Sequence, residues 1–378
     1  MRCPLVIVAA VTTGCGFSVS GSAAPGDAVV VDGATDGAVD AATIDASPDA
    51  PPDAFVAGRR KRITIDPARV TGTHADFPVW ITLTDPQLAA RALADGSDIH
   101  FRLPGGTALP YEIQRWDKAS GRLDAWVRLQ VLDLEPTEFD VVYGDPTLAH
   151  APAAPMVFSS SFAAVWHLES ATTIADARGA RPGMPVGLVA GDGVAAQLGR
   201  GVDFDGGTQA ITFANPITGG GAHTISLWVS QRATTDNDAL VVLGDGDCGR
   251  SRWLHSRYGG STVAVGFYCN DWANPNVNVI GAGWTLLHWV YAGNQSRLYR
   301  NGALVAGPFT HMGGVATQGT GGYIGNAVAG FGANMGLNAT VDEVRIATTA
   351  RDAGWIATEH ANQSSPSTFY SIGPEQLP

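Results

Sequence analysis

Residues 284–306 constrain the fold most: WTLLHWVYAGNQSRLYRNGALVA. On an extended chain Trp284, Leu286, His288 and Val290 point one way and Leu287, Trp289 and Tyr291 the other. Both faces are largely apolar, which predicts a strand buried between two layers. Asn294 and Gln295 form a turn, and Arg297 to Arg300 is a second strand. Asn301-Gly302 is a strong hairpin signal, because both residue types tolerate positive φ, and Ala303 to Ala306 returns. Val341, Val344 and Ile346 carry a last strand, with Asp342 and Glu343 between them.

Four pieces in fixed order carry a family resemblance: Trp284-x-x-Leu287-His288-Trp289-Val290, Leu298-Tyr299-Arg300-Asn301-Gly302, Tyr323-Ile324-Gly325-Asn326 and Val341-Asp342-Glu343-Val344-Arg345-Ile346. Together they resemble the laminin-G-like, concanavalin A-like jelly-roll family over residues 158–375. Val165-Trp166-His167-Leu168 and Asp176 match that family's opening strand and loop. The resemblance implies a two-sheet antiparallel sandwich used mostly for binding sugars or proteins, sometimes with a bound calcium. Residues 201–206 and 211–213 read as a hairpin, and Thr224 to Val229 as a central strand. Thr349 to Asp352 reads as a capping box, threonine at the N-cap, for a short helix packing Trp355 and Ile356.

Residues 58–150 alternate with period 2 in several short runs, and turn signals separate them. Phe77, Val79, Ile81 and Leu83 share one face, as do Ala125, Val127, Leu129 and Val131. That pattern predicts a small β-sandwich. The words Asp76-Phe77-Pro78-Val79, Asp95-Gly96-Ser97-Asp98-Ile99-His100-Phe101 and Leu109-Pro110-Tyr111-Glu112-Ile113 resemble an uncharacterised bacterial domain that precedes laminin-G-like modules. The fold class expected is therefore all-β: a small N-terminal β-sandwich, then a concanavalin A-like jelly roll, behind a disordered tether.

Residues 1–15 join Arg2 to a short apolar core, Pro4 to Val11. The segment is too short to span a bilayer and reads as an export signal. Thr12-Thr13-Gly14-Cys15 resembles a bacterial lipoprotein signal, which implies a lipid on Cys15 as the only tie to a membrane; ordinary secretion is the alternative. Residues 16–57 are rich in Ala, Asp, Gly and Pro and contain no Lys or Arg, a composition that cannot build a packed core. The expected location is the cell envelope, as an outer-membrane or surface lipoprotein.

The net charge is −12, so nucleic acid is not an expected partner. Cys248 and Cys269 lie in the jelly-roll region without a second cysteine pair or histidine set, so zinc is not expected. A disulfide between them fits an exported chain; two buried thiols are the alternative.

The chemistry-bearing candidates are few. Arg250, Arg252, Trp253, Arg257, Tyr258, Tyr268 and Trp272 cluster around the two cysteines. Aromatic faces stack on sugar rings and arginine forks bind acidic groups, so the cluster reads as a site for an anionic glycan. Asp342 is the best metal candidate, with Asp176 and Asp205 as further ligands: the family resemblance implies a structural Ca2+ beside an acid that opens the last strand. Asp203 and Asp205 have the spacing a glycosidase pair needs, but Asp205 runs into Gly206-Gly207 and reads as a turn residue. His288 reads as a hydrogen-bonded core or edge histidine rather than a catalytic one. The expected function is binding or adhesion without catalysis, the partner a glycan or a surface protein; a structural envelope component is second and a hydrolase third.

Overall fold

The computed structural model describes residues 58–148, 154–158, 161–234, 237–257, 262–273, 275–327 and 335–378. Residues 1–57 lie outside that set, so the export signal, Cys15 and the tether are not part of the structure described.

The smaller lobe begins with β1 (Arg59–Ile65), β2 (His74–Thr84), β3 (His100–Arg102), β4 (Tyr111–Asp117), β5 (Arg122–Leu132) and β6 (Glu138–Tyr143). The larger lobe holds β7 (Phe162–Trp166), β8 (Met184–Val186), β9 (Gly193–Ala195), β10 (Arg200–Asp205), β11 (Ala210–Ala214), β12 (His223–Ala233), β13 (Asp238–Gly244) and β14 (Ser251–Arg257). It continues with β15 (Thr262–Gly266), β16 (Asp271–Trp272), β17 (Thr285–Ala292), β18 (Gln295–Arg300), β19 (Ala303–Thr310), β20 (Gly321–Ile324) and β21 (Asn338–Ala347). A helix, Ala353–Ser364, follows, and β22 (Tyr370–Gln376) ends the chain.

All strand pairs are antiparallel. The larger lobe stacks an eight-stranded sheet, β19-β18-β17-β12-β21-β10-β9 with β7 beside β21, on a seven-stranded sheet, β16-β15-β14-β13-β20-β11-β8. The first meets the smaller lobe and is called the junction sheet; the second is the distal sheet. The expected hairpin of residues 201–206 and 211–213 does not form. β10 pairs with β21 and β9, whereas β11 pairs with β20 and β8, so the connection crosses from one sheet to the other.

The two-faced strand behaves as its sequence predicts. Leu287, Trp289 and Tyr291 of β17 enter the core between the sheets. Leu286 and Val290 enter a second core shared with the smaller lobe, together with Trp80, Trp126, Phe158, Trp228 and Trp355. Asn301 and Gly302 join β18 to β19 with φ of 51° and 81°, as a two-residue turn with positive φ at both positions requires.

The smaller lobe is a sandwich of two sheets, β22-β1-β6-β3 and β2-β5-β4. Its first sheet is completed by the chain's last strand, with Ile63 opposite Ile372. The family resemblance ran to residue 375, but β22 hydrogen-bonds within the smaller lobe. The larger lobe is thus inserted between two pieces of the smaller, and both belong to one compact unit.

The helix starts three residues later than the capping box predicts. Asp352 is the N-cap, its carboxylate accepting the Trp355 N–H at 2.7 Å. Thr349 is held elsewhere: its carbonyl accepts from Thr224 Oγ1, which in turn accepts the Arg351 N–H.

Candidate functional site

The distal sheet has one face in the core and one turned away from it. A single cross-strand row runs over the outward face: Met184, Thr212, Tyr323, Val242, Trp253, Gly266 and Asp271. Gly266 provides no side chain in this row, and the Asp271 carboxylate occupies the space above it. Tyr268 and Cys269 then take left-handed φ of 46° and 63° and turn the chain back over the sheet. Tyr268 lands on Trp253, ring centroids 5.2 Å apart and 8° from parallel. Tyr268 and Tyr323 are part-exposed and pack on the small cluster formed by Ala239, Val242, Trp253, Ala327 and Met335.

The disulfide expected between Cys248 and Cys269 is present, with Cα atoms 5.1 Å apart. It ties the start of β14 to the Tyr268 turn. The Gly249 N–H reinforces the tie by pointing at the carbonyls of Phe267 and Tyr268.

Two polar side chains on this face lack complete partners. His255 is buried beside Trp253, flanked across the sheet by Ala239 and Ala264, and neither ring nitrogen has a hydrogen-bond partner among the described residues. Burial, with Arg257 nearby, pushes its pKa down to about 3, so the ring is neutral and offers one donor and one acceptor. Asp271 has one buried carboxylate oxygen without a partner, and its pKa is raised by burial against backbone N–H donors.

The predicted basic cluster does not assemble as one patch. Arg250 is spent on Asp245 at 2.6 Å and Asp247 at 2.7 Å. Arg252 has the opposite strand parity from Trp253 and is wholly buried in the core side. It donates to His223 Nδ1 at 3.1 Å and to the carbonyls of Gly219 and Gly221, and lies 5.8 Å from the Phe267 ring centroid. Arg257 is part-exposed at the end of β14. Trp272 stacks on Phe309 at the sheet edge, 5.2 Å apart and 5° from parallel. Tyr258 lies outside the described residues. His255 and Asp271 were not singled out in the sequence, and Tyr323 was quoted only as part of the family resemblance; the shared parity of Trp253 and His255 was the signal available for one of them.

A second concentration of polar groups sits at the lobe junction, where no motif pointed. His167 bridges the lobes, Nδ1 at 2.7 Å from Glu343 and Nε2 at 3.3 Å from Glu112. Arg345 links Glu343 and Glu359, each at 2.8 Å, and its guanidinium lies 4.3 Å from the Trp126 ring centroid. His288 closes the chain of contacts on Glu359 at 3.0 Å, the core histidine its sequence context predicts. Burial alone would lower the His167 pKa, but the Glu343 and Glu112 carboxylates lift it to about 10. Glu343 has φ of +53°, a strained conformation for a non-glycine residue, within a strand whose pairing to β12 shifts register there.

The three candidate calcium ligands are separate. The Asp176 carboxylate is occupied by the N–H groups of Val165, Arg178, Ala180 and Arg181. Asp205 caps its own turn through the Gly207 N–H at 2.7 Å. It pairs with Asn338, four residues before Asp342 on β21, about 13 Å along the strand. Asp342 lies mid-strand rather than opening the strand, fully buried, with Oδ2 accepting the Leu198 N–H at 2.7 Å. Burial, with Glu343 beside it, drives its pKa well up. These residues do not fit a shared calcium site, and no group of three His, Cys, Asp or Glu suited to a metal occurs among the described residues.

Residues 205–357 match a model of the concanavalin A-like lectin/glucanases superfamily. No curated protein matches the chain. Among solved structures, domain 4 of an extracellular arabinanase from Geobacillus stearothermophilus, in complex with arabinotriose, is 17% identical, with 53% of this chain and 98% of that chain covered and a TM-score of 0.44. Trypanosoma rangeli sialidase is 14% identical, covering 58% of this chain and 35% of that one, with a TM-score of 0.42. The binding domain of Paraclostridial Mosquitocidal Protein 1 is 15% identical, with 53% and 52% covered and a TM-score of 0.36. The chain spans about a third of the sialidase's length. At these identities and TM-scores the likeness extends to no ligand and no activity.

Proposed function

We propose that the chain is an exported binding protein that recognises an uncharged carbohydrate on the outward face of the distal sheet. The observation that carries this reading is the Tyr268–Trp253 ring pair beside the incompletely bonded His255 and Asp271. Sugar rings present C–H faces to aromatic rings, and their hydroxyls both donate and accept. A neutral imidazole and a carboxyl group with spare capacity meet that need. Arg250 and Arg252 are committed to internal partners, so the anionic glycan suggested by the sequence is the less favoured ligand.

The role is binding rather than hydrolysis. Asp203, half of the candidate carboxylate pair, is held by Arg232 at 2.6 Å and Thr340 at 2.7 Å, while Asp205 serves its turn. A glycan array probed with the full chain tests the reading. Retention of neutral glycans supports it; retention of sulfated or sialylated glycans alone would overturn the charge assignment. No retention at all would favour a structural envelope role.

Residues 1–15 support export and a lipid on Cys15, with the folded lobes held at the cell surface. Stable anchoring takes more than one acyl chain. Cys15→Ser should therefore move the protein from the membrane to the soluble fraction; unchanged fractionation would refute the anchor.

A further inference from the structure

A cleft of about 360 Å3 opens between the lobes. Gln114, Arg115 and Asp124 of the smaller lobe line it, facing Glu169, Gly199 and Arg200 of the larger. Its volume suits a small molecule, and lobe junctions are a common place for such sites.

The acceptors in this cleft are short of donors. Gln114 donates its amide to Glu343 Oε1 at 3.3 Å, which fixes its orientation and leaves the Gln114 Oε1 buried without a partner among the described residues. Glu169 lies close against the glycine: a Cβ at residue 199 would come within 2.7 Å of Oε1. The Arg200 N–H reaches that oxygen only at 3.4 Å. Asp124, by contrast, is satisfied by Thr82 at 2.5 Å and Arg122 at 2.9 Å. Arg115 on the smaller lobe and Arg200 on the larger are exposed, and the Arg200 guanidinium also donates to the Gly193 carbonyl. Each lobe thus offers the cleft an acceptor short of donors and one exposed guanidinium group.

We propose that this cleft binds a small zwitterion of amino-acid size, its ammonium group donating to Glu169 and Gln114 and its carboxylate facing Arg115 and Arg200. An ammonium supplies three donors and the charge that Glu169 lacks. A carboxylate suits two guanidinium groups. The site is independent of the sugar-binding face, which lies on the distal sheet.

Burial raises the Glu169 pKa to about 7, with Glu343 and Asp124 adding to the rise and His167 opposing it. Around it stand Arg200 on the adjoining strand, Asp342 and Glu343 on β21, His167 on its own segment, and Asp124 with Arg115 across the cleft. An ammonium ligand binds the ionised carboxylate, so affinity should rise by up to about tenfold per pH unit below that pKa and level off above it.

Calorimetric titration of the full chain with glycine, L-alanine, L-glutamate and L-lysine tests this, with glucose as an uncharged control. At least one amino acid should bind with a dissociation constant at or below about 1 mM at pH 7.5, and more weakly at pH 5.5. Glu169→Gln should weaken it about tenfold or more and remove the pH dependence, and Arg200→Ala should weaken it independently. Melting curves confirm that each variant is folded, and Tyr268→Ala should bind as the parent does. No heat from any amino acid up to about 10 mM, equal binding of glucose, or unchanged affinity in folded Glu169→Gln and Arg200→Ala would each overturn the proposal.

Discussion

The Asn362 side chain stands in for a neighbouring strand beside Trp80: its Oδ1 accepts the Trp80 N–H at 2.7 Å and its Nδ2 donates to the Trp80 carbonyl at 3.0 Å. Two residues along β2, the Tyr370 hydroxyl does the same for Thr82, accepting its N–H at 2.7 Å and donating to its carbonyl at 2.9 Å. The free edge of β2 is thereby closed by side chains from the far end of the chain. Asn362→Ala leaves two buried backbone groups at Trp80 unpaired, at about 1–3 kcal/mol each. Chemical denaturation should show a loss of roughly 2–6 kcal/mol. A loss below about 0.5 kcal/mol would mean that this bond pair does not hold the lobes.

Because the lobes share a core, removing the last strand should damage both. A chain ended at Ser364 loses β22, and with it the Ile372–Ile63 pairing and the Tyr370 bonds to Thr82. Thermal melting followed by circular dichroism should lose its cooperative transition or shift it down by at least about 10 °C. An unshifted transition would show that the smaller lobe stands without its last strand.

Stability should depend on pH in both directions. His167 has its folded pKa raised from 6.5 to about 10. Its contribution is fully present below pH 6.5 and is lost as pH rises toward about 10. His255 is the reverse case, lowered by burial from 6.5 to about 3. Its contribution is present above pH 6.5 and lost as pH falls toward about 3, and buried His223 acts in the same direction. Glu359 adds to the acid loss: burial would raise its pKa, but the His288 and Arg345 contacts bring it from 4.5 to about 2. Glu169, raised to about 7, opposes these acid losses above pH 4.5. The melting temperature should therefore peak between about pH 5 and 7 and decline on both sides. In His167→Gln the alkaline decline between pH 6.5 and 10 should flatten. The same alkaline slope in parent and variant would remove His167 as its source.

Much of the larger lobe was legible because its signals are local. The period-2 faces of β17 and the Asn301-Gly302 turn depend on neighbouring residues alone, and Cys248 and Cys269 had no other cysteine nearby to pair with. The junction was not legible. Glu112, His167, Glu343 and Glu359 each read as an ordinary polar residue until the fold brings them together across the sequence. Arg252 was misread for a different reason. Proximity in sequence to Trp253 suggested a common patch, whereas strand parity sends the two to opposite faces. Asp342 was misplaced because β21 begins four residues earlier, at Asn338, and puts it in the middle of a paired strand.

The most direct test of the central claim is titration of a neutral glycan retained on the array against the parent, Tyr268→Ala and His255→Ala. Tyr268 is part-exposed, so its truncation should leave the melting temperature nearly unchanged. Each variant should lose about tenfold or more in affinity, as expected when an aromatic platform or a buried polar anchor is removed. Parent-like affinity in both variants, with their folds intact, would contradict carbohydrate recognition on the outward face of the distal sheet.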